Sequence, residues 1–163
     1  MNIPAQPTTG AVRTADATAT ATPCASTLNA TVITARNLCP SVVTTLNPGT
    51  ATATSVVRQT TVGVPGLPVI ALSDVRATAS TRCGAATGSV TVTVTVAGVP
   101  IPVATDPNTT VSLPGGTRLT VNEQKPVAGA DFGVTVVAVH LVLAGGLGEV
   151  TVGSVTSAVH NCG

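Results

Sequence analysis

Valine and threonine alternate without interruption along Ser89 to Val96: Val90, Val92, Val94 and Val96 share one parity, and Thr91, Thr93 and Thr95 the other. Successive side chains of an extended chain point to opposite faces, so the pattern predicts a half-buried strand with a valine face toward a core. Runs of the same β-branched character recur at 27–35, 50–57, 69–81, 109–113, 117–124, 133–143 and 149–160. Between them stand Asn47-Pro48-Gly49, Pro65-Gly66, Gly84 to Gly88, Asp106-Pro107-Asn108, Pro114-Gly115-Gly116 and Gly145-Gly146. These are turn residues: glycine admits positive φ, proline presets φ, and Asn or Asp tolerate the left-handed region. Short strands separated by such turns predict an all-β fold, an antiparallel β-sandwich or a Greek-key barrel, with no helix required.

Residues 133–143 and 149–159 read as a hairpin closed by Ala144 to Gly148. The first of these is apolar at both parities, as a central strand is, and belongs in the core. Thr-x-Thr recurs near residues 18, 50 and 91, but at unequal intervals and with different flanks, so the chain is not a solenoid. At 163 residues the chain is of single-domain size. Pro4, Pro7 and Gly10, followed by Ala15-Asp16-Ala17-Thr18-Ala19-Thr20-Ala21-Thr22, set apart residues 1–22 as an arm ahead of one β domain at 23–163. The arm is expected to be flexible or to act as a donor strand for a neighbouring sheet, with Thr18, Thr20 and Thr22 in the pairing stretch.

Composition narrows what such a fold can do. Charged residues make up 8% of the chain and the formal net charge is +1, which leaves no basic field for nucleic acid. Phe132 is the sole aromatic, so the stacking platforms of single-stranded nucleic-acid sites and many sugar sites are missing. A core of Val, Leu, Ile and Ala buries little area per residue at ~25 cal/mol per Å², so further restraint is expected. Cys24, Cys39, Cys83 and Cys162 are suited to provide it. No C-x-x-C pair occurs, which argues for disulfides over a zinc module or free thiols. Four cysteines allow three connectivities; Cys24–Cys39 with Cys83–Cys162 is favoured, the two loops being worth about 3 and about 4 to 5 kcal/mol of unfolded-state entropy.

Disulfides imply an extracellular or cell-surface location. Met1 to Pro7 has neither a basic start nor an apolar run and does not read as a signal peptide, so a leader removed ahead of it is expected. The longest apolar stretch, Val134 to Leu143, is strand-length and interrupted by Thr135 and His140, so no membrane span is predicted.

From Ile70 onward, particular words accumulate: Ala71-Leu72-Ser73-Asp74-Val75-Arg76-Ala77-Thr78-Ala79 running into Cys83-Gly84, then Pro107-Asn108-Thr109-Thr110-Val111 and Leu113-Pro114-Gly115-Gly116. Leu119-Thr120-Val121-Asn122-Glu123-Gln124, Val139-His140-Leu141, Val150, Gly153-Ser154 and His160-Asn161-Cys162 follow in order. In these the chain resembles the choice-of-anchor P family of secreted actinobacterial surface proteins. The resemblance implies an exported surface protein without an assigned biochemical role, and it brings no catalytic residues. Members of that family carry wall or membrane anchors, whereas this chain shows no sorting motif or hydrophobic tail before Gly163.

Candidate chemistry is sparse. His140 and His160 each share a parity with valines, but in the hairpin His140 is expected opposite a residue near Gly153, leaving His160 about 23 Å further along, too far to share a metal. No Gly-x-Ser-x-Gly elbow or comparable nucleophile arrangement is present, and the six carboxylates are scattered, Asp106 reading as a turn former. Lys125 near Asn122 raises an intramolecular isopeptide cross-link, against the plainer reading of a solvated lysine at a strand end. Alternate threonines about 6.6 Å apart raise an ice-binding face, although threonine is also simply a favoured exposed strand residue. No enzyme, cofactor or metal is therefore expected. The sequence favours a structural or adhesive surface module that self-associates, even into filaments; the alternative is a domain binding ice or a cell-wall component through Thr-rich faces.

Overall fold

The computed structural model describes residues 11–13, 19–21 and 24–162. Its strands are β1 (Ala19–Ala21), β2 (Ala25–Ala30), β3 (Ile33–Leu46), β4 (Gly49–Val62), β5 (Ile70–Arg82), β6 (Ala85–Val96), β7 (Val99–Ile101), β8 (Thr109–Ser112), β9 (Arg118–Pro126), β10 (Phe132–Leu143) and β11 (Gly148–Val159). A single 3₁₀ turn, Ala144–Gly146, joins β10 to β11 where the hairpin linker was expected. Two antiparallel sheets result. The larger runs β3-β4-β5-β6-β7, with β1 and β2 both paired to the outer side of β3; the smaller runs β11-β10-β9-β8. From β2 onward each sheet is an up-and-down meander in chain order, β1 alone skipping β2 to pair with β3, so the sandwich is the expected architecture that forms.

β10 and β11 lie across β4, β5 and β6, and β9 reaches β6. Between the sheets sit Leu72, Val75, Ala77 and Ala79 of β5, Val94 of β6, Leu119 and Val121 of β9, and Val136, Val139 and Leu141 of β10. Small residues let the layers approach closely. At Gly88 in β6 the space that a Cβ would take is filled by Val136 Cγ2, 2.5 Å away, and the Gln124 amide.

Both sheets contain a transverse row at which side-chain parity switches. In the larger sheet Asn37, Arg58 and Asp74 drop out of the ladders together, since β3–β4 skips from Arg36↔Gln59 to Leu38↔Val57 and β4–β5 from Val57↔Val75 to Gln59↔Ser73. Against β6 the row becomes a bulge between Ser73 and Arg76. In the smaller sheet the skipped residues are Asn122, Ala138 and Gly153. Asn37, Asp74, Asn122 and Gly153 have φ of 52°, 51°, 54° and 68°, and only Gly, Asn and Asp adopt that region readily. The two rows are stacked: a Cβ on Gly153 would lie 3.2 Å from Ala138 Cβ and 3.5 Å from Val75 Cγ1.

This switch explains β10. Its inward residues are Val134, Val136 and Ala138, then Val139, Leu141 and Leu143. The strand is central, as expected, but its two apolar parities reflect one buried face that changes parity midway. The expected strand 27–35 is likewise corrected: it spans the turn at Thr31-Val32, and β3 continues to Leu46 through Pro40. Proline fits there because Pro40 falls between the end of the β2 ladder at Leu38 and the start of the β1 ladder at Val42, where the outer edge of β3 has no strand partner. Disulfides join Cys24 to Cys39 and Cys83 to Cys162, the favoured one of the three connectivities. The first ties β2 to β3; the second fixes the chain beyond β11 to the β5–β6 turn.

Candidate functional site

Most of the residues that raised chemical ideas resolve into structural partnerships on the outer face of the smaller sheet. His140 pairs with Thr151, two residues short of Gly153 and so close to the expected place. Its Nδ1 lies 3.1 Å from Glu123 Oε2 and its Nε2 3.2 Å from Glu149 Oε2. Thus the sheet gathers two of the apparently scattered carboxylates around one imidazole, which residue spacing alone did not reveal. His160 follows the end of β11, nine residues beyond Thr151 or about 30 Å of extended chain. Among the described residues no group of three or more His, Cys, Asp and Glu could hold a metal ion.

Lys125 Nζ pairs with Glu123, and this contact, followed by the nearby charge of His140, holds the Glu123 carboxyl below its ordinary pKa despite its partial burial. Asn122 is committed elsewhere: it is buried, its Nδ2 donates to Thr105 O at 2.8 Å, and its Oδ1 accepts from Gln124 Nε2 at 2.9 Å. Gln124 Nε2 also donates to Gly88 O, which stitches β9 to β6 across the sandwich. The stretch Leu119 to Gln124 therefore supplies two core residues and a polar seam.

Two surfaces remain. The first is the outer face of the larger sheet, where tight hairpins hold hydroxyl side chains in cross-strand rows. Ser41, Thr54, Thr78 and Ser89 form one row, and Val43, Thr52, Ser80 and Thr87 the next. Thr52 Oγ1 lies 3.0 Å from Ser80 Oγ, and Thr45 Oγ1 2.6 Å from Thr50 Oγ1. Register here comes from the meander, which needs no sequence repeat to impose it.

The second surface is an unpaired sheet edge over an apolar groove. β11 pairs with β10 alone among the described strands, and it sits above β4 and β5. β3, with β1 and β2 along its far side, therefore projects beyond it as a shelf. Leu38 and Val42 of β3, Ala53 and Val57 of β4, and Val150 and Val152 of β11 line the groove between shelf and edge, which has a volume of about 1750 Å³. Ala11, Val12 and Arg13 line it too.

Of the three arm threonines, Thr20 lies in β1, whose ladder joins Ala19–Ala21 to Val42–Thr44 of the same chain. Thr18 and Thr22 lie outside the described residues. Sequence periodicity did not reveal the groove, because it exists only through the unequal widths of two sheets.

The fold and these surfaces define a disulfide-linked, two-sheet β-sandwich in which β11 is, among the described residues, a long edge strand paired on one side. Comparison of the chain with protein-family models, with curated proteins and with solved structures returns no match. Among the described residues no helix is long and apolar enough to cross a membrane.

Proposed function

We propose that this chain is a structural or adhesive module of the cell surface that assembles with copies of itself. The observation that carries this reading is the edge of β11, unpaired on one side among the described strands, above the apolar shelf of β3 and β4. An unpaired strand edge is a template for another strand, and natural proteins ordinarily blunt such edges with charge, proline or a covering element. Beyond Glu149, β11 carries no charged side chain. Two disulfides and the absence of free cysteines are compatible with an oxidising, extracellular setting, and the family words from Ile70 onward point the same way. The test is light scattering with negative-stain imaging of the purified, non-reduced protein across a concentration series. Oligomers or filaments that grow with concentration are expected; a monomer at every concentration would overturn the reading.

A second reading is supported by the hydroxyl rows. A grid of Ser and Thr, spaced by the strand repeat in one direction and by the ~4.8 Å strand separation in the other, suits a repetitive partner such as ice or a cell-wall polymer. Ice-growth inhibition that is lost in Thr54→Lys and Thr78→Lys variants would support it, and unaltered ice growth with the native chain would exclude ice.

A further inference from the structure

We propose that the outer face of the larger sheet binds a linear polyol phosphate, a flexible hydroxyl-bearing chain joined by phosphodiesters, along a track of four arginines. This rests on the reading of that face as a surface for a repetitive polymer and names the polymer's chemistry.

The formal net charge of the chain, +1, conceals an uneven distribution. Arg36, Arg58, Arg76 and Arg82 lie on β3, β4 and β5, and all four are exposed. Asp74 is the sole acid between residues 19 and 101, so these three strands carry four positive charges against one negative. Among the described residues none of the four arginines is in an ion pair, the pairs being those of Glu123 and Glu149 with Lys125 and His140.

Parity puts the arginines on one face. Val75, Ala77, Ala79 and Thr81 of β5 are buried in the sandwich, which turns Arg76 and Arg82 outward with Thr78 and Ser80. On β3 the buried Ala35 turns Arg36 outward. Arg36 pairs with Gln59, and Arg58 stands exposed beside Gln59 in the row where parity switches.

Register then sets three of them on a diagonal. Arg58 is one residue past the Arg36↔Gln59 pair and two short of the Val56↔Arg76 pair, so successive Cα atoms are about 6 and about 8 Å apart at ordinary strand spacing and rise. Arg82 follows about 20 Å further along β5. Thr78 and Ser80, with Thr54 and Thr52 opposite them on β4, fill that interval with hydroxyls. At the other end of the track, Thr34, Arg36, Gln59 and Thr61 line a polar depression of about 160 Å³.

The chemistry of this track selects the partner. A guanidinium group donates from a planar fork that matches two oxygens of a phosphate. Hydroxyl side chains both donate and accept, as the free hydroxyls of a polyol require. The unequal steps between arginines suit a flexible chain whose anions can shift to meet them, rather than a stiff polymer of fixed repeat. Phe132, the sole aromatic, is on the other sheet, so the bases of a single-stranded nucleic acid find nothing to stack on. A second copy does not supply the complement either. The strands of its smaller sheet carry Arg118 and Lys125 against Glu123 and Glu149, and both glutamates are already paired.

The test is calorimetric titration of the full-length, non-reduced protein with poly(glycerol phosphate), polygalacturonate and duplex DNA. Poly(glycerol phosphate) should bind, with affinity falling at least about tenfold between about 50 and about 200 mM salt. Arg58→Gln combined with Arg76→Gln should weaken binding at least about tenfold, whereas Arg118→Gln on the smaller sheet should leave it unchanged. No binding, an equal loss in Arg118→Gln, or equal affinity for polygalacturonate or DNA would overturn the proposal. Binding of a neutral glucan that the arginine variants leave intact, without binding of poly(glycerol phosphate), would overturn it while the reading of this face as a polymer surface stands.

Discussion

Thr81 Oγ1 and Ser157 Oγ lie 2.6 Å apart in the interior, one on the floor sheet and one on the sheet above it. Ser157 spends its single proton on Ala51 O at 2.7 Å, so Thr81 is the donor in the buried pair. The result is a directed chain of two hydrogen bonds joining β5, β11 and β4. Ser157→Ala should leave both the Thr81 hydroxyl and the Ala51 carbonyl short of a partner, at a cost of about 1 to 3 kcal/mol. The double variant Ser157→Ala with Thr81→Val should lose less than the sum of the single changes, as urea unfolding of the four chains would reveal.

Thr60 is the opposite case. Its hydroxyl is buried and has no hydrogen-bond partner among the described residues. Thr60→Val keeps the shape of the side chain and removes the unpaired polar atom, so it should leave stability unchanged or raise it by about 1 kcal/mol. A lower unfolding midpoint in urea would show that the hydroxyl has a partner after all.

Gly88→Ala should be among the more damaging single-methyl changes available. The added Cβ would meet Val136 Cγ2 at 2.5 Å and the Gln124 side chain at 2.8 Å, and the latter is already held by its bonds to Gly88 O and Asn122. About 1 to 3 kcal/mol is expected from overpacking, with Gln124 displaced. Thermal melts, together with the Gln124 side-chain amide resonances, would report both effects.

Glu123 gives the molecule an acid-sensitive contact. Its carboxyl titrates below the ordinary value, chiefly because Lys125 bonds to it, so the stabilisation is present above the unfolded carboxylate's pKa and is lost as pH falls through the lower folded value. Lys125→Ala should move the Glu123 titration back upward. Because the lysine is largely exposed, the stability difference should be only about 0.2 to 1 kcal/mol near pH 7 and should vanish by about pH 2. Carboxyl chemical shifts against pH, with urea melts at both ends, would check this.

The strands and turns of this fold were legible in the sequence because Val–Thr alternation and Gly–Pro punctuation are local signals. Ser89 to Val96 needed no more than its own residues. β3 was largely missed for an equally physical reason: Pro40 reads as a break unless the edge facing it is known to be unpaired. The parity switch at Ala138 hid the single buried face of β10 behind a run that is apolar throughout. The Glu123, His140 and Glu149 cluster and the β11 groove depend on register and on the relative widths of two sheets, which no residue pattern states.

The stacked rows at Asn37, Arg58 and Asp74 and at Asn122, Ala138 and Gly153 bear on how such a chain can vary over time. Removing Gly153 alone would leave Val150, Val152, Val155 and Ser157 in strict alternation on one face, with Ala138 of β10 left opposite them as a bulge residue, the arrangement that β5 already has against β6. A one-residue difference in length between neighbouring strands can therefore be absorbed at this row as a bulge, as β5 and β6 already show. Away from the row the same change would turn every following side chain to the other face, so the rows and the hairpin turns are the places where the sheets can gain or lose a single residue.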